Sequence, residues 1–239
     1  MKEYFEKLYK GNAESFHSRL KESLSKNEKE FVVTANPEAF MYGSCDSEVN
    51  DLLCDKRVSV VADGIGLIKG AKMVGISLPG RIPGVEIAEK LFEYGNELAS
   101  SVFLFGAKQE VIDAMQRVLS EKYPNLKIAG MENGYVSDKD GVFEEIKKAK
   151  PDIVLVALGM PAQEKLIYKH FDDFEKGIFV GVGGSFDVLS GTKKRAPAFF
   201  INHNIEWLYR ITKEPKRMKR FFDNNIKFFI NLKKEVRSK

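Results

Sequence analysis

Six short apolar runs punctuate the first four-fifths of the chain, at residues 31–34, 58–61, 102–105, 126–129, 153–157 and 178–182. Between them lie stretches of helical periodicity near 85–98, 109–122 and 141–148; in the second, Val111, Met115, Val118 and Leu119 share one face. A strand with one wet face alternates apolar and polar residues, so strands that are apolar throughout must be covered on both sides. The pattern therefore predicts an α/β fold: a Rossmann-like parallel sheet with helices on both faces. In such sheets ligands bind beyond the carboxyl ends of the strands. There this chain sets Thr34 and Asn36, Asp63, Gly106, Gly159, and Gly183 with Gly184.

The C-terminal segment breaks the alternation. Residues 193–239 carry 14 Lys/Arg against 4 Asp/Glu, a balance of +10, while the whole chain of 239 residues is only +4. The body is mildly acidic and the tail is basic, which points to an anionic partner for the tail. Phe221, Phe222, Ile226, Phe228, Phe229 and Ile230 are interleaved there with Arg217, Lys219, Arg220, Lys227, Lys233 and Lys234. That composition suits a helix lying in a membrane interface, and equally a helix packing a Phe face on the domain with its charges in water. The division expected is a catalytic α/β domain over 1–195 and a basic amphipathic appendage over 196–239. Exposed Trp and Phe in the appendage could also be buried by a second copy, so a homo-oligomer stays open.

Cys45 and Cys54 form neither a disulfide framework nor a zinc pattern. The first ten residues mix charges with aromatics and lack the apolar core of a signal peptide. No run approaches the ~18 apolar residues of a spanning helix. A cytoplasmic protein, free or resting on a membrane surface, is expected.

Each strand-end feature has a chemical and a plain structural reading. Gly181-Val182-Gly183-Gly184-Ser185 could bring backbone amides to a phosphate, or could be only a tight strand-to-helix turn. Phe105-Gly106-Ala107 is a weaker version of the same. Neither matches the G-x-G-x-x-G fingerprint, which disfavours a dinucleotide-binding domain. Asp63, just after an apolar strand, is placed to act as a general base or to cap a helix. Arg81, in the loop Pro79-Gly80-Arg81-Ile82-Pro83-Gly84, could grip a phosphate. Gln163 could read a base or sugar edge, whereas Glu164 beside it has the simple reading of a favourable first-turn charge. Asp46-Ser47-Glu48 is read as a solvated helix face, so a divalent metal is not expected. No nucleic-acid-binding motif accompanies the basic tail.

In chain order, Thr34-Ala35-Asn36-Pro37-Glu38, Ala62-Asp63-Gly64-Ile65-Gly66, the Pro79 to Gly84 loop, Phe105-Gly106-Ala107, Asn133-Gly134-Tyr135, Ala157-Leu158-Gly159-Met160-Pro161-Ala162-Gln163-Glu164-Lys165, Gly181 through Asp187, Arg195-Ala196-Pro197 and Glu206-Trp207-Leu208-Tyr209-Arg210 resemble the WecG/TagA/CpsF family of bacterial glycosyltransferases. The resemblance covers about residues 31–220. It implies inverting, metal-independent transfer of N-acetylmannosamine or a related hexosamine from a UDP-sugar donor. The implied acceptor is undecaprenyl-diphosphate-linked GlcNAc at the inner face of the cell membrane, in teichoic-acid-type surface-polymer synthesis. It further implies Asp63 as base, Thr34 near the reacting sugar, and Asn36, Arg81 and Gln163 in the pocket. Arg210, Arg217 and Arg220 would hold the acceptor diphosphate. The first thirty residues depart from the family, whose members start with a β-hairpin; here residues 4–24 suggest a helix. The rival reading is a non-catalytic nucleotide-sugar or phosphosugar-binding protein, which would keep the glycine turns without needing Asp63.

Overall fold

Six parallel strands form one sheet: β1 (Lys29–Ala35), β2 (Val58–Ala62), β3 (Ser101–Gly106), β4 (Lys127–Glu132), β5 (Ile153–Ala157) and β6 (Gly177–Gly181). Their order across the sheet is β2-β1-β6-β5-β3-β4. The computed structural model describes residues 1–197, 199–200, 203, 206–213 and 216–237. β5 and β6, in the middle, are buried along their whole length, whereas the edge strand β4 is partly exposed throughout. That difference is why the apolar runs locate the central strands closely, while the run at 126–129 starts one residue before β4 and stops three short of its end.

Successive residues of each strand face opposite layers. Val33, Phe103, Phe105, Val154, Val156 and Phe179 join one core; it is closed by α1 (Lys2–Lys7), α3 (Pro37–Gly43), α4 (Ser47–Cys54), α5 (Ile65–Met73), α8 (Lys139–Ala149) and α9 (Ala162–His170). Val32, Val102, Leu104, Ile153, Leu155, Ile178 and Val180 join the other, beneath α2 (Ala13–Ser25), α6 (Gly84–Glu97), α7 (Gln109–Lys122) and α10 (Ser185–Leu189).

The helix expected over 4–24 is two helices. After α1 the chain extends, with Leu8 bridged to Val60 and the Tyr9 amide bonded to the Val60 carbonyl at 2.8 Å. Asn12 then starts α2 by accepting from the Ser15 amide at 2.8 Å. A side chain that caps backbone amides favours a helix start over a helix interior, and Gly11 beside it weakens continuity further.

Among the described residues of the C-terminal segment, helices run over Glu206–Lys213 and Lys216–Arg237. The terminal one lies across α3 and α5. Its Phe228 is fully buried, with ring centroids 6.1 Å from Phe5 and 6.4 Å from Phe40. Gly70 makes room for it: a Cβ there would stand 2.9 Å from the Phe228 ring. Leu232 is buried too, while Phe222, Ile226 and Ile230 are exposed. The helix thus packs a Phe face on the domain, as one of the two readings expects, and turns a second apolar stripe outward. Among the described residues, no helix is long and apolar enough to cross a membrane.

Candidate active site

The carboxyl ends of β1, β2, β5 and β6 and the loops that leave them build one continuous surface. Thr34, at the end of β1, is buried, and its Oγ1 donates to the Gly181 carbonyl of β6 at 2.9 Å. Asn36 follows in extended conformation and caps α3, accepting from the Ala39 amide at 3.1 Å. The proline at the first position of α3 suits this start, because an amide is not required there.

Asp63 leaves β2 with its amide bonded to the Ala35 carbonyl at 2.8 Å, so the β1 and β2 exits run side by side. The helix-cap position of α5 belongs to Gly64, one residue beyond Asp63. The turn packs on its neighbour, since Gly64 stands against Asn36 and Pro37. The loop bearing Arg81 adjoins both exits. The Ile82 amide bonds the Ala62 carbonyl at 2.7 Å, and Gly84 abuts the Thr34 side chain, where a Cβ would lie 3.2 Å from Oγ1. The Arg81 guanidinium pairs with Glu206 of the C-terminal segment at 3.4 Å, both side chains being largely buried. Sequence reasoning missed Glu206 as the Arg81 partner, and no spacing links positions so far apart.

Gln163, in the first turn of α9, is 3% exposed and joins two turns. Its Oε1 accepts from the amides of Gly159, after β5, and Gly183, after β6, at 3.0 and 3.1 Å. The Gly183 amide is therefore engaged by a side chain rather than left to a phosphate. Gly183 itself adopts φ +52°, a left-handed conformation that favours glycine, with open space where a side chain would be. Gly184 precedes the five-residue α10. Gly106 serves packing: at φ +129°, a Cβ would come within 2.4 Å of the Ala157 carbonyl oxygen, so the exits of β3 and β5 are pressed together.

Glu164 is not a solvated first-turn charge. It is 1% exposed, takes a hydrogen bond from Gln163 Nε2 at 2.7 Å, and burial pushes its carboxyl from an ordinary 4.5 up to about 7. A signal was available, because Glu164 stands three and seven residues before Ile167 and Phe171 on the buried stripe. Asp46 and Glu48, in turn, hold Lys165 at 2.6 and 2.9 Å, tying α4 to α9. Arg210, Arg217 and Arg220 belong to the two C-terminal helices, and their side chains lie outside the described residues.

Thr34 and Asp63 leave adjoining strands, and the loop bearing Arg81, between α5 and α6, packs on both exits; comparison with known proteins decides the class. The model of the "Glycosyl transferase WecG/TagA/CpsF family" matches residues 7–239. The chain belongs to this family. It is 38% identical over 208 residues to an N-acetylglucosaminyldiphosphoundecaprenol N-acetyl-beta-D-mannosaminyltransferase of Bacillus subtilis, covering 87% of this chain and 80% of that protein. The enzyme of the same name from Staphylococcus aureus strain MW2 is 39% identical over 191 residues, 80% of this chain and 74% of that one. In this WecG/TagA/CpsF glycosyltransferase the family segments containing Thr34, Asn36, Asp63, Arg81 and Gln163 converge at the strand exits, although the sequence spreads them over about half its length.

Proposed function

We propose that this glycosyltransferase moves N-acetylmannosamine from a UDP donor onto undecaprenyl-diphosphate-linked GlcNAc, a teichoic-acid-type linkage step, with inversion and without a metal. The observation that carries the reading is Asp63, a carboxylate at a strand exit, with the Arg81 loop and Thr34 beside it in a chain whose relatives bear that enzyme name. In this reading Asp63 takes the proton from the acceptor hydroxyl as its oxygen attacks the anomeric carbon. The bond from that carbon to the UDP oxygen breaks, and its electron pair leaves with UDP. Cationic and amide donors must meet the growing charge on the diphosphate. Arg81 would exchange its Glu206 partner for phosphate, and Arg210, Arg217 and Arg220 would serve the acceptor diphosphate.

A lipid-borne acceptor places the reaction at a membrane, and we assign the enzyme to its inner face as a peripheral protein. The exposed stripe Phe222, Ile226 and Ile230, with Lys227, Lys233 and Lys234 also exposed on that helix, supports this. Each basic residue near an anionic surface contributes about 1 kcal/mol.

The test is UDP release with a short-chain polyprenyl-diphosphate-GlcNAc acceptor across a panel of UDP-sugars. Release should require the acceptor, and Asp63→Asn should lower turnover about 10²–10⁴-fold with donor affinity unchanged. An Asp63→Asn enzyme turning over at the wild-type rate would remove Asp63 from the role of base.

A further inference from the structure

Glu164 is a buried carboxyl without an ion-pair partner among the described residues, and its Oε2 has no hydrogen-bond partner there either. Its place in the site is nevertheless well defined. Gln163 Oε1 takes two backbone amides, from Gly159 and Gly183, which leaves its Nε2 to face Glu164 Oε1. Both side chains lie over Gly181, where a Cβ would come 2.6 Å from Gln163 Nε2 and 2.7 Å from Glu164 Oε1. The Gly181 carbonyl is the acceptor for Thr34. A single run of contacts therefore leads from Glu164 through Gln163 to the turns after β5 and β6, and across Gly181 to Thr34.

Among the described residues, the surroundings offer Glu164 no charge. Gly181 has Val33 and Val156 as its register neighbours on β1 and β5. On α9 and α4, Lys165, Asp46 and Glu48 engage one another nearer the surface. Asp55, at the end of α4, binds Arg57 and Tyr168. The three-ten turn Phe171–Asp173 beyond α9 carries Asp172 and Asp173, bound to Arg57 and to His170. A carboxyl so enclosed is held as the neutral acid, consistent with its displacement to about 7 by burial.

We propose that Glu164 is a positioning residue that works as a neutral acid. It fixes the Gln163 carboxamide in the orientation that joins the β5 and β6 turns, and its ionisation loosens that joint. An ionised carboxylate in this slot meets no counter-charge among the described residues, so it is driven toward water and the first turn of α9 opens. The role in transfer rests on the function proposed above; the joint itself does not.

The experiment is a pH titration of the full chain carrying carbon-13 in its glutamate carboxyls and nitrogen-15 in its amides, run beside UDP release. One carboxyl, identified by its loss in Glu164→Gln, should titrate near neutrality. The amides of Gly159 and Gly183 should shift with the same midpoint, and should cease to do so in Glu164→Gln. In activity, Glu164→Gln, which keeps the acceptor and cannot ionise, should match wild type near pH 6 and retain its rate at about pH 8, where wild type has dropped about ten-fold. Glu164→Leu, which removes the acceptor for Gln163 Nε2, should lose about ten-fold or more in kcat/KM already near pH 6. A carboxyl that titrates with the surface glutamates, glycine amides that ignore it, or an alkaline decline unchanged in Glu164→Gln would overturn the proposal. A wild-type protein inert toward every UDP-sugar would instead count against the proposed function, while the amide titration would still judge the joint.

Discussion

Replacing Glu164 by glutamine should stabilise the protein at alkaline pH and leave its stability nearly unchanged in acid. The folded carboxyl titrates at about 7 rather than 4.5, because burial penalises its charged form. At about 1.4 kcal/mol per pH unit, that displacement corresponds to roughly 3 kcal/mol. The native state holds this proton more tightly than the unfolded chain does. The stabilising contribution is thus complete below about 4.5, declines as pH rises, and is lost above about 7. Glutamine does not titrate and keeps the acceptor that Gln163 uses, so the variant avoids that loss.

Urea unfolding of both proteins, followed by circular dichroism from about pH 5 to 8, measures the difference directly. The stability advantage of Glu164→Gln should grow by about 1.4 kcal/mol per pH unit through most of that range and level off at roughly 3 kcal/mol. Parallel stability curves for the two proteins would refute the assignment of a buried, unpaired carboxyl. A variant less stable at every pH would show that Oε2 makes a bond glutamine cannot reproduce.

Two further predictions concern the terminal helix. Phe228→Ala empties a fully buried position against Phe5, Phe40 and Gly70; it should cost about 3–5 kcal/mol in denaturant unfolding. Changing Phe222, Ile226 and Ile230 together to serine touches exposed positions only. It should leave stability within about 0.5 kcal/mol per site while sharply reducing co-sedimentation with anionic liposomes, and undiminished sedimentation would place attachment elsewhere.

Much of the fold was legible because burial on two faces leaves a strong mark: the runs at 153–157 and 178–182 coincide with β5 and β6 to within a residue. β4 was less legible because an edge strand is not required to be apolar. The N-terminal region deceived because amphipathic spacing spans a break that only Gly11 and Asn12 announce. Among the candidate residues, strand ends singled out Thr34, Asn36 and Asp63, since topology alone brings such positions together, whereas Arg81 stood out only by its Gly/Pro-rich loop. That Gln163 joins two turns needed coordinates, whereas the burial of Glu164 was announced by its place on the Ile167 and Phe171 stripe. Gly181 is a second hint, since the strand lacks a side chain where this polar pair lies across it. The Arg81–Glu206 pair joins segments 125 residues apart, beyond the reach of any periodicity.

The tail performs separable tasks with different residues of one segment. Glu206 reaches Arg81 at the site, Phe228 and Leu232 hold the terminal helix in the core, and Phe222, Ile226 and Ile230 face outward. Because the exposed stripe and the anchoring residues occupy different faces, a membrane can take up the first without displacing the second. Attachment of the kind proposed would therefore not require the terminal helix to undock. Hydrogen exchange with and without anionic vesicles tests this: the amides of residues 228–232 should keep their protection when lipid is added. Protection lost there on binding would mean that the helix leaves the domain, and that the buried Phe228, not the exposed stripe, supplies the lipid contact.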